Sequence, residues 1–396
     1  MKRTLSVMML GLRGLPNVQG GIEAHVQNLA SYLQDMDCRV DVIVRSPYQP
    51  VEHRKEWNGI RIHSLWSPVS KSLEAITHTF LGVLYAAVKR PDILHIHAVG
   101  PSLMVPLARM LGLRVVVTHH GQDYDRQKWG KLAKFMLKSG EYCGMKMSNG
   151  RIVISEVLKN LVQDKYAKKS TLIPNGVVMP DLIDSETALD KFGLTAGKYI
   201  LTVSRLVPEK RHLDLIEAFK KGSLPGWKLV IVGGSDHPDA YTKAVTTSAA
   251  SHPDVVMTGF QSGLGLKELF THAGMFVLPS SHEGLPIAML EALSFGLPVI
   301  ASNIPANLEV GIPENHYYQM GDVNALTARL ELFAETAQDS IAKTRLRAWV
   351  DNKYNWADIA AATLQVYGDV AKTSRFLPVS TIPSTPGFNN NFELSV

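Results

Sequence analysis

Cysteine is almost absent from this chain: 396 residues contain two, Cys38 and Cys143. Two thiols cannot build a disulfide framework, and the scarcity suits a reducing, cytoplasmic setting. No apolar run is long enough to cross a bilayer, the longest being Thr79 to Val88. The start, Met1 to Leu10, imitates a signal peptide. It runs into a Gly-rich loop without a small-residue cleavage pattern, so it reads as a first buried strand. A Gly-x-Gly-x-x-Gly fingerprint is missing too. Gly11, Gly14, Gly20 and Gly21 follow that strand, but Arg13 stands where the second glycine would be, which disfavours a nicotinamide cofactor. His95, His97, His119 and His120 fall at two strand ends. Neither pair has a dedicated metal spacing and no cysteine accompanies them, so no metal and no bound cofactor are expected. There is no nucleic-acid-binding motif.

What is present is an alternation of apolar strands with helix-period segments. The strands expected are Leu5–Leu10, Val40–Val44, Ile60–Leu65, Ile93–His97, Val115–Thr118 and Arg151–Ile154, then Tyr199–Val203, Lys228–Val232, Val255–Thr258, Met275–Leu278 and Val299–Ala301. Such alternation argues for α/β architecture with parallel sheets covered by helices. The length and the two runs of strands predict two doubly wound, Rossmann-like domains, residues 1–172 and 173–355. The turn chemistry near Pro174-Asn175-Gly176 marks the boundary. From about 374 to 396 the chain is rich in Pro, Ser and Asn and reads as a disordered tail. Charge is uneven. Residues 1–170 carry 24 Lys and Arg against 13 Asp and Glu, and the remainder 17 against 23. The first half should therefore prefer anionic surfaces, a membrane or an acidic acceptor.

The most informative stretch is Ser-Ser-His-Glu-Gly-Leu-Pro-Ile-Ala-Met-Leu-Glu, with Glu283 and Glu291 eight residues apart. Pro286 suits the first position of a helix, and Gly296 and Pro298 stop it. Glu283 then precedes the helix and Glu291 lies within it. At helical rise they stand ~12 Å apart, about the reach from hexose to ribose of a nucleotide-diphosphate sugar. The helix N-terminus between them is a seat for a diphosphate. The same stretch equally fits a surface loop and a core helix bearing one acidic residue. Arg205 and Lys210 follow the strand Tyr199–Val203, where two cations can hold a departing diphosphate. Gly20-Gly21 opens a helix where backbone can approach a ligand. His120, followed by Gly121, is the best placed of the four histidines, for ligand contact or for plain hydrogen bonding. Lys128 to Lys138 reads either as an interfacial basic helix or as an ordinary surface helix.

With these pieces in order, the chain resembles the family-4 retaining glycosyltransferases, which have the GT-B fold. The resemblance runs from Gly11 to about Tyr367. It rests on Glu-x7-Glu (Glu283, Glu291) within Ser-His-Glu-Gly-Leu-Pro, on Gly-Gly-Ile-Glu, His120-Gly121, Pro174-Asn175-Gly176-Val177, and Ser204-Arg205-Leu206 with Lys210. The segment His120-Gly121-Gln122-Asp123 with Arg126 to Trp129 is similar to a bacterial branch that builds surface polysaccharides, such as exopolysaccharide or lipopolysaccharide. The family usually has another residue in the place of His119, which leaves His119 unassigned.

The resemblance implies two Rossmann-like domains facing a cleft. Donor binding would fall to Arg205, Lys210, Glu283, Gly284, Leu285 and Glu291 of the second. The first would take the acceptor, a glycan or polyprenyl-linked hydroxyl, beside the loop with Gly14, Gly20 and Gly21. His120 would meet the transferred sugar, and Arg205 and Lys210 the diphosphate of a UDP- or GDP-sugar. Retention without a metal, by same-face attack, would follow. A last helix, 356–373, would cross back onto the first domain. Rival readings are a sugar-nucleotide epimerase on the same fold, a non-catalytic GT-B-like binding protein and, more distantly, a zinc-dependent deacetylase.

Overall fold

The computed structural model describes residues 4–18, 20–49, 55–69, 74–122, 124, 130–235, 238–336 and 340–372. The chain divides into two compact units. One runs to Gly176 and resumes at Trp356; the other is Val177–Asn355.

The first unit contains β1 (Ser6–Leu10), α1 (Gly21–Asp35), β2 (Arg39–Arg45), β3 (Glu56–Trp57), β4 (Ile60–Leu65), α2 (Glu74–Lys89), β5 (Ile93–His97), α3 (Val105–Met110), β6 (Val115–His119), α4 (Lys131–Met147), β7 (Gly150–Val153), α5 (Glu156–Tyr166) and β8 (Thr171–Leu172). Its sheet has the order β3-β4-β2-β1-β5-β6-β7-β8 and is parallel except for β3. Strands β1, β5 and β6 are buried along their whole length. That is why they carry apolar residues on both faces, as in Val7–Leu10 and Val115–Val117, with the polar exceptions His95, His97, Thr118 and His119 collected toward the C-terminal ends of β5 and β6.

The second unit contains α6 (Thr187–Phe192), β9 (Tyr199–Val203), α7 (His212–Lys221), β10 (Lys228–Val232), α8 (Ala240–Ala250), β11 (Val255–Gly259), α9 (Gly263–Thr271), β12 (Met275–Leu278), α10 (Ile287–Ser294), β13 (Val299–Ser302), α11 (Pro305–Leu308), β14 (Tyr317–Tyr318), α12 (Val323–Glu335) and α13 (Ser340–Lys353). Its parallel sheet has the order β11-β10-β9-β12-β13-β14. The chain then returns to the first unit as α14 (Trp356–Ala371). Trp356, Ile359, Ala360, Val366 and Tyr367 of α14 share the core built by β1, β2 and α1.

All eleven strands read from the sequence are present, with ends shifted by no more than one residue. The two-residue strands β3, β8 and β14 were too short to signal themselves. Residues 374–396, and Lys128 and Trp129 of the basic segment, lie outside the described residues.

Both sheets reverse their strand order once, between β1 and β5 and between β9 and β12. Chains leaving two such neighbours turn to opposite faces of the sheet, so a crevice opens beyond their C-terminal ends. Ligands of doubly wound sheets bind there, and each unit places its notable side chains at that point.

Candidate active site

In the second unit the loops after β9 and β12 meet. The β9 loop is pinned from below: Ser204 N–H donates to the Val232 carbonyl at 3.0 Å and Leu206 N–H to that of Gly234 at 2.9 Å. A 3-10 turn, Pro208–Lys210, follows. Ser281 N–H, from the β12 loop, donates to the Glu209 carbonyl at 2.8 Å. On the far side, Ser302 Oγ donates to the Ser280 carbonyl at 2.5 Å. So tied, the two loops bring Lys210 Nζ onto Glu283 Oε1 as an ion pair, with side chains 19% and 11% exposed. Arg205 is half-buried in the same loop as Lys210. Gly284 is half-buried and Leu285 buried just beyond Glu283.

Two expectations are corrected here. Pro286 is extended (φ −79°, ψ 93°) and caps α10 rather than opening it. The helix starts at Ile287, so the steps from Glu283 to Pro286 are loop. The helical rise therefore does not apply over half of the Glu283–Glu291 interval. Glu291 itself lies in the second turn of α10. The residue is half-buried by surface, but its carboxyl sits where burial pushes it up to about 7. It is thus an acid whose charge can respond to a ligand near neutral pH.

In the first unit the loops after β1, β5 and β6 converge. Gly11 (φ +118°) lies so close to β5 that an added Cβ would stand 2.3 Å from the His97 carbonyl oxygen. An added Cβ at Gly14 would stand 2.8 Å from Val18 Cγ2, and one at Gly20 2.0 Å from Glu23 Oε2. Gly21 is the first residue of α1. Glu23 holds the loop by accepting from Arg13 N–H at 3.1 Å and Arg13 Nε–H at 3.0 Å.

His97 and His120 share a hydrogen bond, Nδ1 to Nε2, at 3.0 Å. His25, from α1, joins them with its ring centroid 4.8 Å from that of His120. One nitrogen from each of these three rings lies within 4.8 Å of the others, so among the described residues they form a group that could hold a cation. Burial first, then neighbouring imidazoles, pushes His97 and His120 well below their ordinary range. Burial takes His25 down to about 4, against a hydrogen bond with Asn175. These rings are neutral at physiological pH and act as hydrogen-bonding groups rather than cations. His95 is spent inside the fold, on Thr118 Oγ1 at 2.7 Å and Tyr367 Oη at 2.6 Å.

His119 does not join this group. It points the other way, to Glu141 on α4, at 2.9 Å. Sequence reasoning missed Glu141, which looks like an ordinary surface charge, and gave His25 no role. The one signal for Glu141 was its neighbour Gly140, where a Cβ would lie 2.1 Å from the Val99 carbonyl oxygen, so α4 packs there at contact.

The profile described as "Glycosyltransferase Family 4" matches residues 19–179, and that described as "Glycosyl transferases group 1" matches 184–365. The chain is a family-4 glycosyltransferase. An Escherichia coli UDP-Gal:alpha-D-GlcNAc-diphosphoundecaprenol alpha-1,3-galactosyltransferase is 30% identical over 243 residues, 57% of this enzyme and 61% of that one. The amylovoran biosynthesis glycosyltransferase AmsD of Erwinia amylovora is 24% identical over 86% of this enzyme and 91% of its own length. Among solved structures, a sucrose-phosphate synthase from Thermosynechococcus elongatus has a TM-score of 0.78 at 20% identity, covering 93% of this enzyme and all of that chain. Anabaena HepE in complex with UDP-glucose has a TM-score of 0.75 at 15% identity, covering 93% and 100%. The fold of the glycosyltransferase is GT-B.

Proposed function

We propose that this glycosyltransferase moves a sugar from a UDP- or GDP-sugar to a hydroxyl of a glycan or polyprenyl-linked acceptor in bacterial polysaccharide biosynthesis, with retention and without a metal. The observation that carries the reading is the Lys210–Glu283 pair at the meeting of the β9 and β12 loops. A cation and a carboxylate held together there suit a donor with a diphosphate and a hydroxylated ring. Lys210, with Arg205, takes the diphosphate and stabilises its charge as it leaves. Glu283, with the Gly284-Leu285 backbone, takes sugar hydroxyls, and Glu291 takes those of the ribose. The Escherichia coli and Erwinia relatives support the polysaccharide context by their names, and the HepE complex supports a UDP-sugar.

In the mechanism proposed, the acceptor oxygen bonds to the anomeric carbon on the face that the diphosphate leaves. The glycosidic C–O bond to phosphate breaks, and the leaving phosphate oxygen takes the acceptor proton. His120, neutral and braced by His97, offers a hydrogen bond to the transferred sugar. The first unit takes the acceptor. No helix among the described residues is long and apolar enough to cross a membrane. A peripheral hold on the inner membrane face is proposed instead, through α4, whose Leu132 and Phe135 are 73% and 68% exposed beside Lys131, Lys134 and Lys138.

A thermal-shift screen against UDP- and GDP-sugars tests the donor class, since a ligand at 100 times its dissociation constant stabilises by roughly 2.7 kcal/mol. Glycoside formation that requires added acceptor supports transfer. Release of nucleotide and an epimerised sugar without acceptor would replace it with epimerisation. No shift with any nucleotide sugar would remove the donor site.

A further inference from the structure

The turn that carries His120 is held by a buried network that no part of the proposed chemistry uses. His119 Nδ1 accepts the Gly121 N–H at 3.1 Å, so the ring hydrogen is on Nε2, which donates to Glu141 Oε1 at 2.9 Å. Both side chains are fully buried. Tyr124 Oη also donates to Oε1, at 3.0 Å, and receives Gln122 Nε2–H at 2.7 Å. The other oxygen, Oε2, takes Lys165 Nζ and Tyr166 Oη from α5. Glu141 thus has four donors on two oxygens, and two of them, His119 and Tyr124, flank the His120-Gly121 turn.

A carboxylate out of water is costly unless it is paired and hydrogen-bonded. Here burial pushes the Glu141 pKa up, but bonds from His119, Lys165 and Tyr166 outweigh it and hold it down at about 2. Glu141 therefore stays charged across the physiological range. A fixed charge at Oε1 selects one His119 tautomer, the one whose Nδ1 can accept from Gly121. That bond spans two residues, as in an Asx turn, and it fixes the peptide next to His120. Gly121 adopts φ +139°, a conformation open to glycine and seldom taken by residues with a side chain, so the turn is specific to this residue.

We propose that His119 and Glu141 are positioning residues. Glu141 sets the His119 tautomer, His119 clamps the Gly121 N–H, and the clamp aims the His120 ring, whose other side is braced by His97. The proposal rests on the reading of His120 as the group that meets the transferred sugar.

The test compares two substitutions at His119 with one at Glu141. His119→Asn keeps an acceptor near Nδ1, able to make the same two-residue turn, and gives up the reach to Glu141. His119→Gln reaches toward Glu141 and gives up the Nδ1 acceptor. Both leave a comparable gap, so a purely structural role predicts similar losses of Tm and of turnover. Positioning predicts that His119→Gln loses kcat by ~10-fold or more while donor KM stays within about twofold, and that His119→Asn keeps most of kcat. Glu141→Gln should lower kcat with unchanged donor KM, and should shift the His119 ring nitrogen resonances from the Nε2–H pattern. Equal kcat in the two His119 variants would overturn the proposal, as would a donor KM effect without a kcat effect. If Glu141→Gln does not fold, Tyr124→Phe removes one Oε1 donor and should give a milder kcat loss of the same kind; an unchanged kcat counts against the clamp. Histidine NMR on the wild-type protein reads the tautomer without activity. An Nδ1–H pattern at His119 overturns the proposal even if transfer is found. The Nε2–H pattern in a protein that transfers no sugar would instead sink the functional reading alone.

Discussion

Lys210 and Glu283 offer the sharpest test of the donor site, because the structure joins them as one ion pair on two loops. Losing one preorganised electrostatic group slows a reaction by ~10²–10³-fold, or about 2.7–4 kcal/mol. Lys210→Ala and Glu283→Ala are each expected in that range. Were the two independent, the double variant would fall by ~10⁴–10⁶-fold. They are not independent. Without Glu283, Lys210 loses the partner that aims it, and the reverse holds as well. The double variant is therefore expected near the worse single variant, a coupling of about 3 kcal/mol, at the upper end for contacting residues. The pair is mostly buried, so leaving either charge alone also costs roughly 1–3 kcal/mol of stability. Circular dichroism and Tm must first show folded variants. Steady-state kcat and KM are then measured with the donor that the thermal-shift screen selects. Near-normal turnover in both single variants, with the fold intact, would refute the assigned site. A double variant that loses the product of the single effects would refute the claim that the pair acts as a unit.

Three further outcomes follow from other parts of the structure. Burial lifts Glu291 from 4.5 to about 7, and an acid raised on folding costs stability as pH climbs through that window, by roughly 3 kcal/mol once fully ionised. Glu291→Gln should thus raise Tm relative to wild type at pH 8 and not at pH 4, and wild-type donor affinity should improve from pH 6 to 8 as the ribose-binding carboxylate forms; a pH-independent Tm gap would show an ordinary carboxyl. Transfer should survive EDTA, since Lys210 already supplies a cation; a rate that collapses and returns with Mn²⁺ or Zn²⁺ would redirect attention to His25, His97 and His120. Pelleting with anionic liposomes at low salt should weaken in Lys131→Gln/Lys134→Gln/Lys138→Gln, at about 1 kcal/mol per surface lysine, while the donor-induced thermal shift stays; if both fall, α4 is a structural helix and the membrane reading is wrong.

The architecture was legible because parallel strands covered on both faces are mostly apolar, and the eleven strands announced themselves by short apolar-rich segments such as Met275–Leu278 and Lys228–Val232, separated by helix-period stretches. The motif residues were legible for a related reason. Glu283, Lys210 and His120 stand just past strand ends, where order in the sequence already implies a ligand-facing edge. Pairing was not legible. That Lys210 meets Glu283, 73 residues away, depends on β9 and β12 being neighbours in the sheet and on the Ser281–Glu209 bond that draws their loops together. The two adjacent histidines differ for the same kind of reason. At the end of a strand, consecutive side chains point to opposite faces, so His120 turned to His97 and His25 while His119 turned to Glu141. Local sequence determines which groups exist and at which strand end they sit. Which face each one serves, and which distant partner sets its charge, was decided only when the chain packed, because those partners are brought near by strand order and helix contact rather than by neighbouring residues.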